Sequence, residues 1–395
     1  MSGKPLRVLI VHNRYQQPGG EDVAVTAEAE LLTANGHEVA RFESSNDELG
    51  GLTKVHAAAR TVWSRHSRSR LEEVQARVQP DVVHFHNTFP LLSPSVYYAQ
   101  PRKAVVVQTL HNYRLVCPTA TLMRSGRPCE DCVGRFAWPG IMHACYRGSR
   151  SATLATAVMV QTHRALRTWS QRVDAYVALT PFARDIFVRG GLAPDRIHVK
   201  PNFVAPDPGI GTARRDHFLF VGRFEEGKGI NVLLSAWRQM QAPPPLRLVG
   251  SGPLNAEVAA FAAALPSVTM VGRTSRERVI DEMRHARALI APMLWYENFP
   301  LSVCEAMATG CPVIAADTRN LCELLGNGEA GLFFDSGNGN DLARAVTIAS
   351  QDAGLMSALG AAGRRLYEAH YTAATNYRTL MSIYEQAAAA RHVIA

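Results

Sequence analysis

Phe218-Leu219-Phe220-Val221-Gly222-Arg223-Phe224-Glu225-Glu226-Gly227-Lys228 reads as a short apolar strand that runs into a glycine and then a charged turn. Such a run, apolar on both faces, suits a parallel sheet covered by helices on either side. Arg223 and Lys228 bracket Glu225-Glu226-Gly227, so both cations lean over the C-terminal edge of that sheet. Working outward, the same alternation of β-branched runs with longer helical patterns recurs along the chain, which argues for βαβ units. One series of strands is predicted at Leu6–Val11, Glu38–Phe42, Val82–Phe85, Ala104–Thr109, Ala175–Leu179 and His198–Lys200. A second is predicted at Phe218–Val221, Arg247–Val249, Val268–Val271, Ala288–Ala291, Val313–Ala315 and Gly331–Phe334.

These series divide the chain into an α/β domain over 1–200, a proline-bearing linker over 201–216, and a second α/β domain over 217–371. The segment 372–395 carries Tyr377, Leu380, Met381 and Tyr384 at helical spacing, and is expected to return to the first domain. Two doubly wound parallel sheets bind ligands at the C-terminal ends of their strands, so a cleft between the domains is the expected site.

A chain of 395 residues with 19% charged and 47% hydrophobic residues is ordinary for a globular protein. No apolar run approaches the length of a membrane span. The Leu6–Val11 run is too short for a secretory signal and lacks a cleavage site, so a cytoplasmic location is expected. Net charge of +8 and a pI near 9.3 favour anionic partners without choosing among phosphates, lipid surfaces and nucleic acid.

Glu297-Asn298-Phe299-Pro300-Leu301-Ser302-Val303-Cys304-Glu305 sets two carboxylates eight residues apart across a loop entering a helix. Pro300 suits the first helical position, and the amides just after it would welcome a phosphate. Glu297 and Glu305 then flank one diphosphate, the layout of a nucleotide sugar with its ribose at one end and its hexose at the other.

Further segments stand in register with the predicted strands: Gly19-Gly20, Asp81-Val82-Val83-His84-Phe85-His86, Gly250-Ser251-Gly252-Pro253 and Val271-Gly272-Arg273. With Val221-Gly222-Arg223, Lys228 and the Glu297–Glu305 motif, they give a chain that over nearly its whole length resembles the retaining glycosyltransferases of family 4, with the GT-B fold. The resemblance implies sugar transfer from a nucleotide sugar, UDP- or GDP-linked, to a hydroxyl of a glycan, lipid-linked or small-molecule acceptor. It implies that Glu297 binds sugar hydroxyls, Glu305 the ribose, and Arg223 and Lys228 the departing diphosphate. Asn298, Phe299, Pro300 and Leu301 complete the donor site. It gives the backbone at Gly272-Arg273 to the nucleobase, and His111, at the end of its strand, to the donor sugar. Gly19 and Gly20 would offer amides to the donor phosphate or the acceptor, and Gly252 would let a ligand approach the backbone. An arginine and a lysine there neutralise charge that grows as the glycosidic bond breaks.

The chain contains no Asp-x-Asp pair, the usual metal–diphosphate anchor, so catalysis without a divalent ion is expected. His84 and His86 are read as lying on opposite faces of their strand and so not serving one site, His84 in the core and His86 toward the acceptor.

Cys117, Cys129, Cys132 and Cys145 fall within a loop at about 111–147 that departs from the common family pattern. A long loop needs a reason, and four thiols with one C-x2-C pair suit structural zinc, with iron–sulfur, disulfides or free thiols as alternatives. Cys304, Cys311 and Cys322 read as buried packing residues. Arg60 to Arg77, with Val62, Trp63, Leu71 and Val74, reads as a basic helix that would suit contact with an anionic membrane. Two other readings compete with sugar transfer. A nucleotide-sugar epimerase would share the fold but need acid/base groups around the sugar. A zinc-containing nucleic-acid-binding module would leave the donor-site residues unexplained, and nucleic acid is not an expected partner.

Overall fold

The computed structural model describes residues 4–16, 19–51, 53–99, 103–211 and 216–394. The chain forms two compact units, one of residues 1–122, 130–202 and 376–395, the other of residues 123–129 and 203–375.

The strands of the first unit are β1 (Arg7–Arg14), β2 (Glu38–Ser45), β3 (Val82–Phe85) and β4 (Val105–Leu110), followed after a short hairpin by β7 (Ala175–Ala178) and β8 (Ile197–Val199). The hairpin, β5 (Met123–Arg124) and β6 (Arg127–Pro128), belongs to the second unit. All six strands of the first sheet run parallel in the order β2-β1-β3-β4-β7-β8, with Val8 of β1 facing Val39 on one side and Val82 on the other. Val8 to Val11 are wholly buried, as expected for a strand covered on both faces. Helix Ala373–Ile394 completes this core: Leu380, Ile383, Tyr384 and Ala387 pack with Val8, Ile10, Val82 and Val107.

The basic stretch 60–77 is two helices rather than one, Lys54–Val62 and Arg65–Val78. Trp63 is extended, at φ −149°, and the Ser64 side chain accepts the Ser67 amide, so a new N-terminus is capped where one continuous helix was expected. The ring of Trp63 stacks on His163, with centroids 5.6 Å apart.

The second unit has its own parallel sheet: β9 (His217–Val221), β10 (Leu246–Val249), β11 (Val268–Gly272), β12 (Ala286–Ala291), β13 (Val313–Ala316) and β14 (Gly331–Phe334). Their order is β11-β10-β9-β12-β13-β14. Phe218, Leu219 and Phe220 of the central strand are buried, beside a fully buried Trp237 whose Nε1 donates to the Pro244 carbonyl at 2.9 Å. Residues 203–211 of the proline-bearing stretch are packed onto this unit, and 212–215 lie outside the described residues. The Val204 amide donates to the Tyr371 carbonyl at 3.1 Å, and Asp207 pairs with Arg364 at 2.6 Å.

In each sheet the strand order reverses once, between β1 and β3 in the first and between β9 and β12 in the second. Loops leaving the C-terminal ends of such strands diverge and open a crevice.

Candidate active site

In the second unit, the loops after β9 and β12 bring Lys228 and Glu297 together. The Lys228 Nζ donates to Glu297 Oε1 at 2.5 Å across 69 residues of sequence. Several backbone contacts place the pair. Gly229 has φ +73°, and a Cβ there would fall 1.7 Å from the Pro292 carbonyl oxygen, so only glycine lets the two loops approach. The Leu294 amide donates to the Gly227 carbonyl at 3.0 Å, and Asn320 Nδ2 donates to the Glu297 carbonyl at 2.7 Å. Glu297 Oε2 is buried and meets no hydrogen-bond partner among the described residues.

Pro300 heads helix Leu301–Ala308 from the capping position, one residue earlier than expected, with extended ψ of 102°. Its carbonyl takes the Val303 and Cys304 amides, leaving those of Leu301 and Ser302 at the positive end of the helix dipole. Asn298 and Phe299 are buried, Phe299 against the Tyr371 ring at 5.7 Å. Glu305 is buried within the helix, where burial pushes its carboxyl up while Arg276, donating from Nε at 2.9 Å, opposes the rise. Sequence reasoning missed Arg276, which stands just after the capping Ser275 and has no local mark of its partnership with a residue 29 positions away.

The other residues that the resemblance assigns to a donor site lie on neighbouring loops. Arg223 is half exposed and pairs with Glu225 at 3.3 Å, while Arg273 is exposed beyond Gly272, which has φ +81°. Gly250 and Gly252 pass so close to the loop after β9 that a Cβ would fall 1.9 Å from the Gly222 carbonyl oxygen and 2.4 Å from that of Phe224. These glycines serve loop-to-loop packing. The Phe224 amide donates to the Ser251 carbonyl at 3.1 Å across that approach.

In the first unit, Gly19 caps helix Gly20–Ala34, and its amide donates to Asp22 Oδ2 at 2.8 Å. That amide is therefore engaged internally. Asp22 also holds His12, at the end of β1, at 2.9 Å. Next to it, Glu21 accepts the Tyr15 hydroxyl at 3.0 Å, and burial pushes its carboxyl up to about 7.

His84 and His86 share a face, contrary to the expectation from sequence. Residues two apart in a strand point the same way, and it is neighbours one apart that alternate. Their rings stack at 4.4 Å, and both face Glu28 Oε1, at 3.0 and 3.3 Å. Behind them, Lys200 Nζ donates to Glu28 Oε2 at 2.8 Å, and His84 bonds Tyr384 and Thr109, each at 2.8 Å. In front, His86 Nδ1 meets His111 Nε2 at 2.8 Å. Burial drives His86 down to about 3 and His111 well below the ordinary value, so both rings are neutral near pH 7. Burial alone would raise Glu28, but Lys200 and His84 hold it ionised. The three ligand atoms of Glu28, His84 and His86 lie within 4.8 Å of one another. With Lys200 already balancing the carboxylate, the group is an ion-paired network rather than a cation site.

Among the described residues, the group of three ligand atoms gathered within that distance is this one, and Cys117, Cys129, Cys132 and Cys145 lie outside it. Among the described residues no cysteine is in a disulfide. Cys132 lies in an apolar cluster with Ala137, Ile141 and Ala157. Cys304 and Cys311 are buried as expected, whereas Cys322 is only part-buried and its Sγ lies 3.1 Å from Asp317 Oδ1.

Residues 18–208 match the family described as Glycosyltransferase Family 4, and residues 212–366 match Glycosyl transferases group 1. The chain belongs to the family 4-type glycosyltransferases. A phosphatidyl-myo-inositol mannosyltransferase of Mycobacterium leprae is 24% identical over 391 residues, covering 95% of each chain. A D-inositol 3-phosphate glycosyltransferase of Rhodococcus jostii is 33% identical over 222 residues, 49% of this glycosyltransferase and 48% of the relative. The chain thus spans about half the length of that relative. Among solved structures, the sucrose-phosphate synthase of Thermosynechococcus elongatus superposes with a TM-score of 0.73 at 20% identity, covering 98% of this chain and 100% of that one. Anabaena HepE, solved with UDP, gives 0.66 at 14% identity over 96% and 100%. At such identities the likeness concerns the fold, two parallel-sheet Rossmann-like domains of GT-B type.

Proposed function

We propose that this glycosyltransferase moves a hexose-type sugar from a nucleoside diphosphate sugar to a hydroxyl of a glycan, lipid-linked or small-molecule acceptor, with retention at the anomeric carbon. The observation that carries the reading is the Lys228–Glu297 pair at the strand-order reversal of the second unit, with the second Glu297 oxygen buried and unpartnered. A buried carboxylate oxygen without a donor carries a desolvation penalty, and a sugar hydroxyl relieves it. Lys228 and Arg223 neutralise the departing diphosphate, and the leading amides of helix Leu301–Ala308 receive a phosphate oxygen. Glu305, held by Arg276, takes the ribose hydroxyls. The bond from the anomeric carbon to the phosphate oxygen breaks as the acceptor oxygen bonds to the same face, and the acceptor proton passes to the departing phosphate. No step requires a divalent cation, because the two cations and the helix terminus supply the positive charge. HepE with UDP and the inositol-directed relatives support a nucleotide donor and a hydroxyl acceptor.

The test is a screen of UDP- and GDP-sugars for thermal stabilisation and slow donor hydrolysis in chelator-treated buffer, with Glu297→Ala and Arg223→Ala beside the unaltered chain. Stabilisation by one nucleotide family, weakened in both variants, is expected. Folded protein that responds to no nucleotide sugar would overturn the proposal.

A further inference from the structure

From Cys132 to Val173 the chain holds six arginines and not one aspartate or glutamate. Six of the nine large apolar side chains that stand exposed among the described residues fall in this same stretch, Phe136, Trp138, Met142, Leu154, Val158 and Leu166. Trp138, the most exposed of the six, keeps 60% of its surface open. The local structure explains the concentration. Helix Trp138–Met142 packs beside helix Arg150–Ala165 through Ala137, Ile141 and Ala157, which turns those residues inward. Trp138 and Met142, one turn apart, stay on the outer side of the first helix. Leu154 and Val158, likewise one turn apart, form a stripe on the second.

Arg135, Arg147, Arg150 and Arg167 are exposed and form no ion pair among the described residues, with Arg147 lying over the Tyr146 ring at 5.4 Å. This contrasts with the basic stretch that the sequence singled out. There Arg68 pairs with Glu72 at 3.0 Å, and Trp63 is stacked on His163 and so occupied. An apolar face without acidic residues, rimmed by unpaired arginines, is a recognisable combination. A second copy of the chain would set like charges face to face. A nucleic acid would satisfy the arginines but offer nothing to Met142, Leu154 and Val158. An anionic bilayer satisfies both, taking the apolar side chains at the boundary between headgroups and acyl chains and pairing the arginines with lipid phosphates. No helix among the described residues is long and apolar enough to cross a membrane, so the contact is at the surface.

We propose that the surface built by residues 135–167 docks this protein on an anionic lipid bilayer. The inference rests on this surface and not on the identity of the donor or acceptor. It is tested by co-sedimenting the full chain with vesicles of phosphatidylcholine alone and of phosphatidylcholine with phosphatidylglycerol, at low and near-physiological salt. Two double variants accompany it, Phe136→Ser with Trp138→Ser and Arg147→Glu with Arg150→Glu, and thermal melting and donor hydrolysis are recorded for each. Binding to the anionic vesicles only, weakened roughly tenfold by either double variant with melting and hydrolysis unchanged, is the expected result. Four outcomes overturn the proposal. They are no vesicle binding, undiminished binding by the Phe136/Trp138 variant, a preference for a duplex oligonucleotide over the vesicles, and self-association in solution that the same variant abolishes. Hydrolysis is read in vesicle-free buffer, so a failed transferase reading and a failed docking reading remain distinguishable.

Discussion

Glu297 was legible because its context is local: a carboxylate three residues before a proline that heads a helix. Its partner Lys228 was legible as a cation at a strand end, but their 2.5 Å contact was not. Replacing the carboxylate by its amide isostere keeps the volume and removes the charge. Glu297→Gln is expected to lower the rate of sugar transfer by about 100-fold or more with little change in melting temperature, as for loss of one preorganised polar group at a reacting centre. Steady-state kinetics beside a melting curve checks this, and an equal loss of both would mark Glu297 as structural. Glu28 and Lys200 lay beyond sequence reasoning, because a buried pair 172 residues apart leaves no local pattern. Glu28→Ala strands a buried ammonium and is expected to cost about 3–5 kcal/mol, whereas Glu28→Met with Lys200→Met should cost much less. Urea unfolding of the two variants decides it. Glu21 makes the opposite pH argument from most carboxylates. Its folded value near 7 exceeds the ordinary 4.5, so its contribution to stability is complete below pH 4.5 and declines as the pH rises through 7. Glu21→Gln should flatten that decline, read as melting temperature against pH between about 4.5 and 7.5.

At the scale of elements, the strands were the easiest part to read. Val82–Phe85 and Gly331–Phe334 have the expected bounds, and the others differ by a few residues. Short apolar runs bounded by turns announce themselves without tertiary information. The basic stretch 60–77 failed as a single helix because Ser64 supplies a cap, a polar residue that composition alone reads as part of the charged face. The two histidines were misplaced by an error of parity rather than a lack of signal: β3 and the residue after it keep the regular alternation. The final helix shows how much one amphipathic pattern can carry. Tyr384 is fully buried in the sheet core, with its hydroxyl on His84. Tyr384→Ala should therefore destabilise the first unit by about 3–5 kcal/mol, the range for deleting a large buried aromatic. Tyr384→Phe, which keeps the packing and loses only the hydrogen bond, should cost about 1 kcal/mol. Equal losses in the two variants, measured by denaturant unfolding, would show that the polar network rather than the packing dominates there.

For the molecule as a whole, the sequence pattern reveals two parallel sheets because each is built from contiguous βαβ units. It does not reveal that residues 123–129 leave the first unit to join the second, since a two-residue hairpin has no periodicity to detect. The same division makes the donor-site proposal testable by location. Glu297, Lys228, Arg223, Glu305 and Arg276 all belong to the second unit, whereas the Glu28–His86–His111 network belongs to the first. A ligand that binds only the folded state suppresses local opening around its own contacts. Adding the nucleoside diphosphate selected by the donor screen should therefore slow amide hydrogen exchange in the second unit, at 222–229, 250–252 and 301–303. The strands β1, β3 and β4 of the first should be little changed. The Leu301 and Ser302 amides are the sharpest reporters, because no residue within the helix accepts from them and a phosphate would. Protection confined instead to the strand-end loops at 19–22 and 111–114 would move nucleotide binding to the other sheet. The Lys228–Glu297 pair would then be an ordinary partly buried ion pair, and the assignment of the donor site to the second unit would fall with it.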